Sequence, residues 1–199
     1  AESLAREAEA ALLETWEEVT EPLEVRRRAL ESISYSGREE VPNLIIEALE
    51  DSDIKMQASA IFAMGRSADE QWEKHVRAAL YHPEPELRYE GARAAGELLL
   101  VDSVPRLIEM LHESDREIKH AAIWSLGEIG GRAAQRALLE LSDEETDEDI
   151  LQAIEDAMNT ASLSTGEFVT YVFSHDAGEL DDLDEWDELE DINLDDLDD

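Results

Sequence analysis

The chain contains no cysteine, which excludes a disulfide framework, a thiolate metal site and a cysteine nucleophile. Aromatic residues are scarce at 6%, whereas hydrophobic residues reach 43%, mostly Ala and Leu. That balance favours helices over a β-sandwich. Long apolar runs are also missing. Apolar runs are short, such as Leu98–Val101, and none approaches the roughly 20 residues that span a bilayer. The first residues, "AESLAREAEAALLETWEEV", are charged throughout and lack the apolar core of a signal peptide. No membrane association and a cytoplasmic location are expected. With 199 residues, one domain plus a tail is expected.

Basic residues are the other shortage. The net charge is -36, and three Lys stand against thirteen Arg. The last basic residue is Arg136, so residues 137–199 hold 24 acids and no Lys or Arg. Such a field repels nucleic acid and anionic membranes and attracts a basic partner.

What is present is a repeat. "IKHAAIWSLG" (Ile118–Gly127) is preceded at 31-residue steps by "LRYEGARAAG", "MQASAIFAMG" and "VRRRALESIS", and followed 32 residues on by "ILQAIEDAMN". The anchors Val25, Met56, Leu87, Ile118 and Ile150 form one column. Four residues on stand Ala29, Ala60, Gly91, Ala122 and Ile154, and eight on stand Ile33, Met64, Ala95, Leu126 and Met158. Offsets of 0, 4 and 8 trace one face of a helix. At offset 9 come Ser34, Gly65, Gly96, Gly127 and Asn159, which read as helix stops because Gly and Asn tolerate the left-handed conformation.

A second helix fills each period: 41–50, 72–81, 104–113 and 133–142. Pro42 and Pro105 fall early in theirs, where a proline sacrifices little. The turns into the anchor helices are acidic ("EDSD", "HPEPE", "HESD", "SDEETDED"), suited to capping amides. A further N-terminal helix, about residues 2–18, completes five pairs.

The acidic turn, the apolar-plus-basic step (Val25-Arg26, Leu87-Arg88, Ile118-Lys119), the following Ala and the closing Leu-Gly resemble HEAT repeats, most closely the short HEAT-like repeats named after phycobilisome lyases. Gln57 and Leu151 depart from the basic position, Gly91 and Ile154 from the Ala position. The resemblance covers about residues 2–160. It implies an all-α fold: a right-handed α-solenoid of about five antiparallel helix pairs, with the second helix of each pair lining the concave side. It also implies that Arg26, Arg88 and Lys119 bridge to the acidic turn of a neighbouring repeat. Most members of the family are protein-binding scaffolds, and a few assist chromophore attachment.

Catalytic signatures are lacking: there is no Gly-rich phosphate loop, no nucleophile elbow and no zinc spacing. His75 and His82 lie two helical turns apart, too far for a shared ion without a third ligand. A non-enzymatic protein without cofactor or metal is expected. On the anchor helices, offsets 2 and 6 are neighbours on the side away from the core. They bring together Phe62, Tyr89, Arg93, His120 and Trp124, residue types enriched at binding hot spots. Among them the basic residues Arg27, Arg28, Arg93 and Lys119 stand out. Phe62 and Trp124 either form this contact surface or fill gaps between repeats. Trp16 and Tyr35 read as packing residues.

After Asn159 the period stops. Residues 161–178 read as a linker with a short extended segment, "EFVTYVFSH". Residues 179–199 hold 13 acids in 21 positions, interleaved with Leu180, Leu183, Trp186, Leu189 and Ile192. Acidic-hydrophobic tails of this kind order on binding. The expected organisation is a solenoid over 1–160, the linker, then the tail. The expected function is a non-catalytic scaffold, adaptor or assembly factor. Its partner is a protein with a basic surface, or its own tail folded onto the concave strip. Two alternatives stand beside it: a phycobilin-lyase-type chromophore attachment subunit, and a nucleic-acid mimic acting through the tail. Nothing in the sequence specifies the oligomeric state.

Overall fold

The acidic turns start the anchor helices as their chemistry dictates. Asp53 accepts from the Lys55 amide at 2.9 Å, Asp115 from Glu117 and Ile118 at 3.0 and 3.3 Å, and Asp147 from Asp149 and Ile150 at 3.0 and 3.4 Å. Each carboxylate satisfies amides that have no partner within their own helix. Two anchor helices depart from this, neither with a side-chain cap: one opens at Leu23 behind Pro22, the other behind Glu84 with Pro85 as its first residue. Proline at that position removes one of the orphan amides instead.

The computed structural model describes residues 2–164. Among these, ten α-helices follow in order: α1 (Glu2–Glu17), α2 (Leu23–Ile33), α3 (Val41–Leu49), α4 (Ile54–Arg66), α5 (Glu73–Ala79), α6 (Pro85–Glu97), α7 (Val104–Met110), α8 (Arg116–Ile129), α9 (Arg132–Glu144) and α10 (Glu148–Ser164). Short 3-10 turns at Glu70–Trp72 and Val101–Ser103 lead into α5 and α7. The fold is all-helical, an α-solenoid. The anchor helices α2, α4, α6, α8 and α10 stack on one another in one layer, and α1, α3, α5, α7 and α9 each pack against the anchor helix that follows.

The core is the face expected from offsets 0, 4 and 8. Met56, Leu87, Ile118 and Ile150 are buried, as are Ala60, Ala122 and Ile154, and Met64, Ala95 and Leu126. Each large side chain among these stabilises the fold by roughly 1.5–3 kcal/mol relative to exposure. Val25 is the exception, 41% exposed. It stands in the first anchor helix, with no earlier anchor helix stacked beyond it.

The offset-9 column corrects the sequence reading. Gly65, Gly96 and Gly127 do not end their helices; they lie inside α4, α6 and α8. They are small because the next anchor helix leaves no room. A Cβ on Gly65 would sit 2.9 Å from the Ala94 Cα, on Gly96 2.9 Å from the Ser125 Cα, and on Gly127 2.7 Å from the Ala157 Cα. The left-handed stop falls three residues later, at Ala68 (φ 52°), Leu99 (φ 53°) and Gly130 (φ 69°). Two of these three lack glycine, so composition hides the column. Asn159 is likewise no stop, since α10 continues to Ser164. The start of the expected linker at residue 161 is therefore helical. The extended segment and the tail lie outside the described residues.

The basic step behaves as the resemblance implied at two positions. Arg88 grips Glu113 in the next turn with contacts of 2.7, 2.9 and 3.2 Å and donates to the His82 and Pro83 carbonyls, both at 2.9 Å. Lys119 reaches Glu145 at 3.2 Å. Gln57, lacking charge, keeps only the bond to its own turn, donating to the Asp51 carbonyl at 2.7 Å. Arg26 differs: it donates to the Trp16 carbonyl at 3.0 Å and lies over that ring, 4.9 Å from its centroid. Trp16 is buried as expected, but Tyr35 is exposed, with the Arg66 guanidinium 4.6 Å above its ring.

Candidate protein-binding groove

A groove of about 320 Å³ opens on the anchor-helix layer across three successive helices. From α6 come Tyr89 and Arg93, from α8 Glu117, His120, Ala121 and Trp124, and from α10 Ala153, Asp156, Ala157 and Thr160. Helix period explains the set. Offsets 2, 3 and 6 share one side of each helix, so parallel stacked copies place Tyr89 beside His120, and Arg93, Trp124 and Asp156 in one row. Ala121 and Ala153 occupy offset 3, and these small side chains leave the groove its depth.

Four of the five residues expected on the strip thus line one groove. The fifth, Phe62, is half-buried on α4 and does not line it. Trp124 is 39% exposed. Its other side packs against the stack, where its ring edge would lie 2.8 Å from a Cβ on Gly96. The residue therefore both packs between repeats and presents aromatic surface to solvent. The tail residues Leu180, Leu183, Trp186, Leu189 and Ile192 lie outside the described residues.

The electrostatics depart from the expected basic strip. Arg93 lies 6.0 Å from the Trp124 ring centroid and pairs with Glu97 at 3.5 Å. Arg27 pairs with Glu24 at 2.9 Å and bonds Ser59, also at 2.9 Å. Arg28 pairs with Glu31 at 2.6 Å, and Lys119 is taken by Glu145. Each cation that stood out in the sequence already has an acid. Among the described residues, Glu117 and Asp156 line the groove without a basic partner, both exposed; the Asp156 carboxylate accepts from the Gln152 amide at 3.2 Å. Sequence reasoning passed over these two acids because acids occur everywhere in this chain. Their signal was position: offset 6 on the last anchor helix, and one residue before the anchor on α8.

One titrating group on this side of α6 is strongly perturbed. The Glu90 carboxyl on α6 is pushed up to about 7, chiefly by burial and further by the charges of Glu31, Glu97 and Glu86, against the opposing pull of Arg93. Its Oε2 is buried without a hydrogen-bond partner. Glu90 does not line the groove. Among the described residues no three His, Asp or Glu side chains group as metal ligands, and no helix is long and apolar enough to cross a membrane.

A family model described as HEAT repeats matches residues 73–159, the stretch from α5 through most of α10. No curated protein matches the sequence. Among solved structures, an engineered protein from a structural genomics consortium is similar at 20% identity, covering 80% of this chain and 80% of that one, with a TM-score of 0.52. Human deoxyhypusine hydroxylase in complex with glycerol is similar at 16% identity over 79% of this chain and 75% of that one, with a TM-score of 0.47. At such identities the likeness concerns the fold alone.

Proposed function

We propose that the protein is a non-catalytic adaptor or assembly factor that binds another protein along the exposed face of its anchor helices, with the acidic tail as a second contact. The observation that carries this is Trp124, an aromatic left open in a groove walled by three stacked anchor helices. Exposed Trp flanked by Tyr and Arg is the composition of binding hot spots, and HEAT repeats, matched over the same helices, generally mediate protein interaction. The closer resemblance to phycobilisome-lyase repeats rests on the acidic turn, the basic step, the following Ala and the closing Leu-Gly of the sequence, and the groove gives no separate support to chromophore attachment.

The test is a random peptide display library panned against the protein. Clones that bind should be lost on Trp124→Ala, typically by tenfold or more in affinity. They should be retained on Tyr35→Ala, which removes an exposed aromatic in the turn after α2. Clones indifferent to Trp124→Ala would refute the proposal.

A further inference from the structure

We infer that the groove is specific for a basic segment of a partner protein, and that it seats a lysine or arginine side chain against Trp124 with Glu117 and Asp156 receiving the charge. The inference rests on the protein-binding reading and names the chemistry of the partner. Three occupants are conceivable: the chain's own tail, a second copy, or a foreign segment. Charge separates them. The tail brings 13 acids in its last 21 residues, and a second copy brings a net charge of -36. Either would set carboxylates against Glu117 and Asp156, while the one groove cation, Arg93, is already held by Glu97. Only a cationic occupant gains in this field.

The shape agrees with that chemistry. The small side chains of Ala121, Ala153 and Ala157 give the groove an apolar lining, together with Tyr89 and Trp124. A long basic side chain lays its methylene stem on such a lining while its charged head stays in water. The face of an indole attracts a cation as well. A volume of about 320 Å³ admits one or two side chains, so the groove suits an extended segment rather than a folded domain. This reading competes with the expected plug by the chain's own tail, and peptide binding decides between them.

Binding to the full-length protein is measured by fluorescence anisotropy with three labelled peptides: one alternating Lys and Ala, one alternating Glu and Ala, and one with the sequence of residues 179–199. The Lys peptide should bind, and the other two should not. Because so acidic a protein attracts any cation, site specificity is read from paired variants. Glu117→Gln with Asp156→Asn should weaken the Lys peptide roughly three- to tenfold. Glu140→Gln with Asp143→Asn, equal in charge but on α9, should weaken it much less. Equal losses in the two pairs would overturn the inference by showing a general field and no site. Binding of the Glu or tail peptide that is lost on Trp124→Ala would also overturn it, while leaving the protein-binding reading intact. No binding by any peptide, together with Trp124-independent clones from the library, would end both.

Discussion

Replacing Glu90 by Gln should abolish the pH dependence of stability that one buried carboxyl contributes. In the native protein the Glu90 carboxyl is raised from 4.5 to about 7. A gap of that size corresponds to about 3 kcal/mol between neutral and charged forms. The sign follows from linkage. Between the two values the native state holds a proton that the unfolded chain has released, so Glu90 favours folding at low pH. That contribution is fully present below the unfolded value and is lost as the pH rises through the folded one. Glutamine mimics the neutral carboxyl at every pH. From about pH 5.5 to about pH 8.5, the stability of Glu90→Gln relative to the parent should therefore rise by about 2 kcal/mol. Denaturant titrations followed by circular dichroism, run on both proteins across this range, read the difference directly. Comparing the two proteins cancels the self-repulsion of the remaining acids, which destabilises both as pH rises. A difference that stays flat with pH would refute the assignment of a buried, proton-holding Glu90.

Three further outcomes test the packing. Gly127→Ala places a Cβ 2.7 Å from the Ala157 Cα and should destabilise by roughly 1–3 kcal/mol, whereas Gly37→Ala, with no atom within 4 Å, should change stability by less than about 0.5 kcal/mol; thermal melts distinguish them. Ala68→Gly removes a left-handed alanine (φ 52°) and should stabilise by about 1 kcal/mol in the same assay. Arg88→Lys keeps the charge but loses the fork that holds Glu113 and two carbonyls, and should cost about 1–3 kcal/mol in denaturant titration.

The fold was largely legible because the repeat writes it several times over. Period, core face and capping acids all follow from columns of like residues, and α4, α8 and α10 cap as those columns indicate. The glycines misled because one residue type answers two needs. A small residue near a helix end reads as a stop, but here it permits contact with a helix about 29 residues further on. The deciding signal was present in the offset-7 column, where Ala63, Ala94, Ser125 and Ala157 are also small. The groove was half legible. Helical period gathered Tyr89, Arg93, His120 and Trp124 correctly, but it carries no information on which charges neutralise each other. Arg93 looked free in the sequence because Glu97, four residues on, is one acid among 52.

The glycine-to-small-residue contacts have a mechanical consequence. Backbones that touch leave no soft side-chain layer between them, so the anchor stack resists stretching like the spine of a book. The opposite layer contains the seven-residue helices α5 and α7, which touch their like neighbours sparsely, and forms the loose edge of the pages. Bending therefore opens and closes the stack on that edge, while spacing along the spine, where Tyr89, Trp124 and Asp156 sit on successive helices, stays fixed. A partner of the kind proposed would meet this face as a rigid ruler, one tooth per repeat.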